Sequence, residues 1–385
     1  GITDISSNAE PGNHEVSGIY SSGTLKITSE SDSIHAITLI GNATGAQPNT
    51  GTGINSIHGI SFDGEGMTEI TATGSGGGIQ ITSIGDQPTQ EPIFINDSVY
   101  VLAVDGPINI AVNGGNSAFH VAQAGKIVLG STDEGNTMFD VTSSSSAIVL
   151  ESDLYTPSVK GQIEVNTTDS FSIYPVNDGT LVFPDTLTLS DRWNIHNNLT
   201  ALIVGGADNS SVVQFTDSLD ISGWMEIFGG DILIRENLNT VNGALKGDIL
   251  LKAKENIVLA PGKGVRTNGG DLIFWSNSDA EQSNGGVYFD AGSSVRTGGG
   301  AIWIGGSNTP TGTVMWDSLT VGDGFAVSGK DLTNLQVVSG GSQIQSEFGI
   351  LLNGVTIQTG GGNLRMAGKR IETANDRAGA GIGFY

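Results

Sequence analysis

Cysteine is missing from the 385 residues, and basic residues are scarce. The lack of cysteine excludes a disulfide framework and thiolate metal sites. Lys and Arg number 16 against 40 Asp and Glu, for a net charge of −24. Before residue 190 the bias is stronger, because only Lys26, Lys126 and Lys160 stand against 21 acidic residues. Such a surface repels phosphate backbones and anionic lipid, so we expect no nucleic-acid partner.

Long apolar runs and helical periodicity are also missing. No stretch of 18 apolar residues is present, so we expect no insertion into a membrane. Apolar residues do not recur at the i, i+3, i+4, i+7 spacing of an amphipathic helix. What the chain has instead is glycine, 58 residues or about twice the usual share. Short Ile, Val and Leu runs between Gly, Asn, Asp and Ser clusters predict an all-β protein.

Composition changes near residues 175–195. All five Trp follow residue 190, whereas only two of the ten Pro do. We therefore predict two regions. Residues 1–190 form an acidic, irregular β-rich region, and residues 191–385 form Gly-rich repeats.

A short phrase recurs in the second region. The segment 265–270 reads VRTNGG, 295–300 reads VRTGGG and 357–362 reads IQTGGG. An alternating strand pattern follows each glycine pair, and two further segments share this second half. The second residue after the glycine is always large and apolar, which predicts an inward position because strands alternate faces with a period of two. These inward residues are Ile232, Ile249, Leu272, Ile302 and Leu364.

Repeats of 14 to 30 residues without a helical crossover predict stacked strands. We interpret them as a right-handed parallel β-helix (β-solenoid), since parallel crossovers are nearly always right-handed. Glycine pairs would form the corners, and Thr267, Thr297 and Thr359 would stack there as a hydroxyl ladder. Residues 1–190 carry weaker copies of the pattern and are interpreted as further coils. The alternative is a separate β-sandwich.

Catalytic and metal-binding motifs were sought because β-helices include polysaccharide-cleaving enzymes. Glycosidases need two carboxylates about 5–9 Å apart, but the only adjacent acidic pair, Asp133 and Glu134, reads as an exposed turn. The five His are scattered without metal-ligand spacing. We therefore predict a protein that is not an enzyme and has no cofactor. Weak Ca²⁺ binding at Asp133 and Glu134 is the one metal site left open.

The stretch GDILLKAKENIVLAPGKGVRTNGGDLIFWSNSDAEQSNGGVYFDAGSSVRTGGGAIWIGG resembles filamentous-haemagglutinin-type repeats. It is similar to those of giant surface adhesins of gliding Bacteroidota, over residues 225–306 and partly over 345–370. The resemblance implies a right-handed β-helix exported through the type IX pathway and displayed at the bacterial outer surface. It implies adhesion to extracellular glycans or surface ligands, with adjoining domains or secretion machinery as protein partners. The family supplies no set of functional residues.

An outward aromatic stripe is the candidate binding site. The third position of the repeat, which should point outward, holds Trp303 and, in a shorter copy, Tyr288, and the fifth holds Trp275. Stacked coils would align these rings as a platform for sugars or a protein, with Arg266 and Arg296 as its polar rim. The alternative is that a loop, 276–286 or 305–317, folds over the stripe.

Five Asp-Ser/Thr-aliphatic tripeptides resemble the O-glycosylation motif of exported Bacteroidota proteins. The resemblance implies modification of the hydroxyl residue in each. These residues are Ser33, Ser98, Thr186, Ser218 and Ser318.

The ends of the chain lead to a further expectation. Gly1 carries no signal-peptide pattern, and the final AGAGIGFY is too short to close a strand stack. We expect a processed product or a fragment whose C-terminal edge is covered by another domain or chain. The function predicted from the sequence is a non-catalytic segment of a secreted adhesin. The alternative is a polysaccharide-processing β-helix enzyme or a tailspike-like depolymerase.

Overall fold

The structure is a computed structural model, and it describes most of the second half of the chain and shorter segments of the first. The described residues are 16–42, 57–63, 66–84, 93–104, 106–113, 119–121, 126–129, 139–143, 150–151, 162–165, 170–175, 181–182, 193–195, 197, 199–210, 212–241, 243, 246–280, 285–310, 312–328, 348–370 and 381–384.

Two compact units make up the chain. Unit 1 comprises residues 1–181 and 187–199, and unit 2 comprises residues 182–186 and 200–385. Every regular element in the described segments is a β-strand, and none of these segments contains a helix long and apolar enough to cross a membrane.

Unit 1 contains short strands of two to six residues. They are β1 (Val16–Ser21), β2 (Leu25–Ser29), β3 (Ile37–Asn42), β4 (Ile57–Phe62), β5 (Met67–Ala72), β6 (Ile79–Ile84), β7 (Ile93–Ile95), β8 (Ser98–Ala103), β9 (Ile108–Asn113), β10 (Phe119–Val121), β11 (Lys126–Leu129), β12 (Phe139–Ser143), β13 (Leu150–Glu151), β14 (Gln162–Val165), β15 (Ser170–Pro175) and β17 (Trp193–Ile195), while β16 (Leu181–Val182) falls at the division between the units.

The strands of unit 1 pair with the strand three places further along the chain. Three sheets result, with the orders β1-β4-β7-β10-β13, β2-β5-β8-β11-β14-β17 and β3-β6-β9-β12-β15. The register pairs apolar residues with apolar residues on neighbouring strands. For example, Ile70 pairs with Val101 in a parallel ladder. Both of these side chains are buried, because in-register pairing stacks the inward apolar residues of successive strands.

Unit 2 repeats this arrangement up to β30 (Ile302–Gly305). Its strands are β18 (Ala201–Val204), β19 (Val213–Phe215), β20 (Leu219–Asp220), β21 (Trp224–Gly229), β22 (Ile232–Ile234), β23 (Leu238–Thr240), β24 (Ile249–Ala253), β25 (Ile257–Leu259), β26 (Gly264–Thr267), β27 (Leu272–Trp275), β28 (Val287–Phe289), β29 (Ser294–Arg296), β30 (Ile302–Gly305), β31 (Thr313–Trp316), β32 (Leu319–Gly322), β33 (Ala326–Val327), β34 (Ile350–Leu352), β35 (Thr356–Gln358), β36 (Leu364–Met366), β37 (Gly368–Lys369) and β38 (Ile382–Phe384).

Three parallel sheets form the frame of unit 2. Sheet I has the order β18-β21-β24-β27-β30-β36, sheet II the order β19-β22-β25-β28-β34-β38, and sheet III the order β20-β23-β26-β29-β35. An antiparallel hairpin, β31–β32, is inserted after β30. The short strands β33 and β37 pair with each other. The prediction of an all-β protein built on parallel strand pairing is therefore confirmed.

The inward residues predicted from the repeat are largely confirmed. Leu272 pairs with both Ile249 and Ile302 in parallel register, and all three are buried. Ile232 is buried too, but it lies in sheet II rather than in the same column. Leu364 continues the column after Ile302, yet it is 44% exposed because β36 is the last strand of sheet I.

Glycine is required where one repeat crosses the next at a corner. A Cβ on Gly300 would lie 2.0 Å from the carbonyl oxygen of Gly270, which no side chain can tolerate. The predicted threonine ladder is formed at the same corner. The Thr267 hydroxyl donates to the Thr297 carbonyl at 3.2 Å, and the Thr297 hydroxyl donates to the Thr359 carbonyl at 2.8 Å. The recurring phrase therefore builds the scaffold.

Candidate functional site

Acidic residues at the first position after the repeat glycine bind the backbone of the next repeat. One Asp248 carboxylate oxygen accepts a hydrogen bond from the Asp271 N–H at 2.7 Å, and Asp271 accepts one from the Ala301 N–H at 2.6 Å. In sheet II, Asp231 accepts from both the N–H and the side-chain amide of Asn256. These carboxylates are committed to structure, because they satisfy N–H groups at the start of each strand.

Burial changes the electrostatics of this ladder. Desolvation raises the pKa of Asp231, against the lowering effect of its hydrogen bonds to Asn256. Burial likewise raises the pKa of Asp248, and the nearby charge of Asp271 adds to that increase. The ladder therefore keeps negative charge partly out of water.

The predicted aromatic stripe is covered in the structure. Trp275 and Trp303 occupy neighbouring strands of sheet I, with ring centroids 6.1 Å apart in an edge-to-face arrangement. Only 5% of Trp275 and 1% of Trp303 are exposed. Val321 of the inserted hairpin is buried with them, and Trp316 packs against the same cluster. A connection folds over the stripe, which is the alternative raised by the sequence.

Specific contacts hold the hairpin in place. The Trp275 indole N–H donates to the Ser307 hydroxyl at 2.8 Å, and the Asn363 amide donates to Asp317 at 3.0 Å. Gly322 passes so close to Trp275 that a Cβ there would lie 2.8 Å from the indole nitrogen. Asp317 and Ser318 both have positive φ, as a tight two-residue hairpin turn requires.

Tyr288 is not part of the same stripe, which corrects the predicted column. It lies in sheet II, where it pairs with Val258 and Leu351. Its side chain is fully buried in a cluster that includes Leu233 and Phe348. The shorter copy that contains Tyr288 belongs to a different sheet, so Tyr288, Trp275 and Trp303 do not form one exposed platform.

Arg266 and Arg296 lie side by side on a third surface. They pair in register between β26 and β29 of sheet III, and both are exposed. Neither belongs to the cluster that surrounds Trp275 and Trp303. The structure therefore brings the two arginines together but assigns them to a sheet other than that of the tryptophans.

A half-open surface of sheet I was not identified from the sequence. Along β21 the side chains of Trp224, Glu226 and Phe228 point outward, because Met225 and Ile227 between them are buried. Trp224 is 38% exposed. The alternation of inward and outward positions in WMEIFG is the sequence signal that could have indicated this surface. Apolar residues on both faces of the strand hid which face was inward.

Two charged residues of this surface are unusual. Burial alone raises the pKa of Glu226, and burial alone lowers the pKa of Lys252 on the adjacent strand. The Lys252 ammonium lies 4.0 Å from the centroid of the Trp275 ring, a cation–π contact. Both charged groups are therefore partly desolvated on neighbouring strands.

The glycosylation candidates occupy varied positions. Ser33, Ser218 and Ser318 are exposed, and Ser98 is half-buried on β8. Thr186 lies outside the described residues. The Asp217 carboxylate accepts a hydrogen bond from the Ser218 N–H, and Asp97 does the same for Ser98, which gives the aspartate of these tripeptides a local structural role.

The calcium site left open by the sequence falls on undescribed positions. Asp133 and Glu134 lie outside the described residues. Elsewhere, in the segments that the structure describes, no group of three or more His, Cys, Asp or Glu side chains is placed to hold a metal ion.

Comparison of the chain with protein families, with curated proteins and with solved structures finds no match.

Proposed function

We propose that this chain is a non-catalytic segment of a large secreted adhesin. Its strands would wind as a right-handed parallel β-helix that presents its outer faces to surfaces, glycans or partner proteins. The observation that carries the proposal is the use of polar repeat residues: Asp231, Asp248 and Asp271 accept hydrogen bonds from the next repeat. Residues committed to stacking leave recognition to the outer faces and inserted segments.

Pairing with the third-next strand supports the β-helix. From β18 to β35, each repeat in unit 2 contributes one strand to each of three parallel sheets. Successive repeats in one direction require parallel crossovers, and these are right-handed in nearly all proteins. Display on a bacterial surface, export by the type IX pathway and a role in gliding follow from the resemblance of residues 225–306 to adhesin repeats.

Surface attachment of the purified chain tests the proposal. Fluorescent beads coated with the chain should adhere to glycan-coated glass or to bacterial cell surfaces under flow. Beads coated with an unrelated protein of similar net charge provide the control. Equal retention of the two bead types on every surface would contradict the adhesin function.

The alternative, a polysaccharide-processing enzyme, has one observation in its favour. Glu226 lies on β21 and Asp248 immediately precedes the neighbouring strand β24, and burial raises the pKa of both carboxyl groups. However, Asp248 already accepts the Asp271 N–H, so the pair lacks two free carboxylates. Release of reducing ends from a polysaccharide, abolished by Glu226→Gln, would establish the enzyme.

A further inference from the structure

The outer side of β21 and β24 combines an aromatic, an acidic and a basic group on one surface. Trp224, Glu226 and Phe228 project from the same side of β21, with neighbours about 7 Å apart along the strand. Lys252 lies beside Phe228 on β24. We call this surface, formed by Trp224, Glu226, Phe228 and Lys252, the β21–β24 face.

The Trp224 side chain is partly open to solvent. The strand neighbour of Trp224 on β18 is Ala201, whose side chain is a single methyl group. The indole is therefore not covered by its neighbour on that side, consistent with its 38% exposure. Trp275 and Trp303, in contrast, are covered by the hairpin. Leu250, which pairs with Glu226, packs against the cluster of Trp275, Trp303 and Val321, so this covered cluster borders the face.

The charged groups of the face are not used by the fold. The Glu226 side chain makes no hydrogen bond or ion pair with any described residue, and among the same residues the Lys252 ammonium makes a cation–π contact with Trp275 but no hydrogen bond or ion pair. A half-buried carboxylate without a partner loses hydration, and no hydrogen bond or ion pair offsets that cost. A ligand rich in hydroxyl groups would restore those interactions, since hydroxyls donate to a carboxylate and accept from an ammonium.

We propose that the β21–β24 face binds a neutral glycan. A pyranose ring has an apolar C–H side that stacks on an aromatic ring such as Trp224, while its hydroxyl edge hydrogen-bonds to Glu226 and Lys252. An acidic glycan is disfavoured, because the chain carries a net charge of −24 and Glu226 would repel it. This inference depends on the proposed adhesive function and names its ligand class.

Calorimetric titration of the full chain with defined sugars tests the proposal. The probes are neutral hexasaccharides of glucose, mannose and N-acetylglucosamine, with hexagalacturonate as the acidic comparison. At least one neutral hexasaccharide should bind, and its binding should weaken tenfold or more in Trp224→Ala and severalfold in Glu226→Gln and Lys252→Met. Met315→Ala, which removes an exposed apolar side chain of the hairpin, is the matched control and should bind as the unmodified chain does.

Each contrary outcome separates this proposal from the adhesive function. No binding of any neutral hexasaccharide, or binding that Trp224→Ala leaves intact, overturns the glycan site. Preferential binding of hexagalacturonate overturns the neutral ligand class. Beads that adhere equally well with and without Trp224→Ala would leave adhesion standing and overturn this site, whereas loss of adhesion in that variant without sugar binding would assign the face to a protein partner. Melting temperatures of all variants, measured in parallel, should stay within about two degrees.

Discussion

At the scale of single residues, the side chain after each repeat glycine links one repeat to the next. Asp231, Asp248 and Asp271 all accept a hydrogen bond from a backbone N–H one repeat further on. Asn256 does the same for the Gly286 N–H. An acceptor oxygen is what the position requires, and negative charge is not. The charge even costs stability where the site is buried, as the raised pKa of Asp231 indicates.

The effect of Asp231→Asn on the free energy of unfolding should therefore depend on pH. A raised native pKa means that the folded state binds protons more tightly, so this carboxyl contributes stability below its unfolded pKa and loses it as pH rises through the folded value. Asparagine keeps the acceptor and removes the charge. The free energy of unfolding of the variant, minus that of the unmodified chain, should therefore increase as the pH rises from about 4 to about 7.

Urea unfolding at both pH values measures this difference. Asp217→Asn is the control, because that carboxylate bonds a local N–H in an exposed turn. A variant that is less stable than the unmodified chain at pH 7 but equal to it at pH 4 would show that the charge itself is favourable.

Gly305 is a second residue with a defined steric role. A Cβ there would lie 2.7 Å from the Trp303 ring, which the hairpin prevents from moving away. Gly305→Ala should cost about 1–3 kcal/mol in stability through overpacking. Calorimetric unfolding measures the loss, and Gly23→Ala, where a Cβ meets nothing within 4 Å, should be nearly neutral. Equal effects in both variants would contradict the packing argument.

At the scale of elements, the β31–β32 hairpin closes an apolar surface that the parallel strands leave open. Trp275, Trp303 and Ile273 point outward from sheet I, so the repeats alone do not bury them. The hairpin provides the covering side chains Trp316, Leu319 and Val321. Its two ends are joined by a bridge between Gly306 and Gly324, which makes it a compact insertion.

Removal of the hairpin should expose the tryptophans and leave the sheets intact. Replacing residues 308–323 with Gly-Gly-Ser should shift the tryptophan emission to longer wavelength and increase quenching by iodide. Far-UV circular dichroism should retain its β signal, since the sheet I pairing of Leu272 with Ile302 does not involve the hairpin. Met315→Ala is the control. Unchanged emission in the deletion variant would show that the hairpin does not shield the rings.

At the scale of the whole molecule, charge is the dominant global property. A net charge of −24 in 385 residues implies repulsion within the folded chain. The described ion pairs Lys26–Glu69 and Lys263–Glu236 offset little of it, because partly exposed pairs contribute about 0–1 kcal/mol each. The acidic excess is concentrated before residue 190.

Added salt should therefore stabilise the chain. Raising sodium chloride from 20 to 200 mM shortens the Debye length from roughly 20 to 7 Å and screens the repulsion. We expect the urea midpoint to rise over this range. Sodium chloride should raise the urea midpoint of the unmodified chain by more than that of a variant in which several exposed Asp and Glu residues are replaced by Asn and Gln. A midpoint that falls with salt would show that attractive pairs outweigh the net repulsion.

The all-β class, the parallel stacking and most of the inward positions could be predicted from the sequence. Those properties depend on local alternation and on glycine spacing, which repeat in the chain and can be counted. Ile249, Leu272 and Ile302 were identified in this way, as was the threonine ladder at Thr267 and Thr297. Leu364 was assigned to the right column, but its exposure depends on what stacks beyond β36.

Which outward residues are covered depends on tertiary contacts and could not be predicted from the sequence. Trp275 and Trp303 have the same outward register as an exposed platform would have, and their burial comes from a hairpin whose docking no local pattern specifies. Tyr288 fits the repeat by spacing, yet the corner that precedes it assigns it to sheet II. The β21–β24 face shows the opposite case, because no sequence motif marks its residues. Parallel pairing places Lys252 beside Phe228 and leaves Trp224 partly exposed, and this arrangement makes the face a candidate site. Strand periodicity is a local property, whereas burial depends on segments distant in the chain.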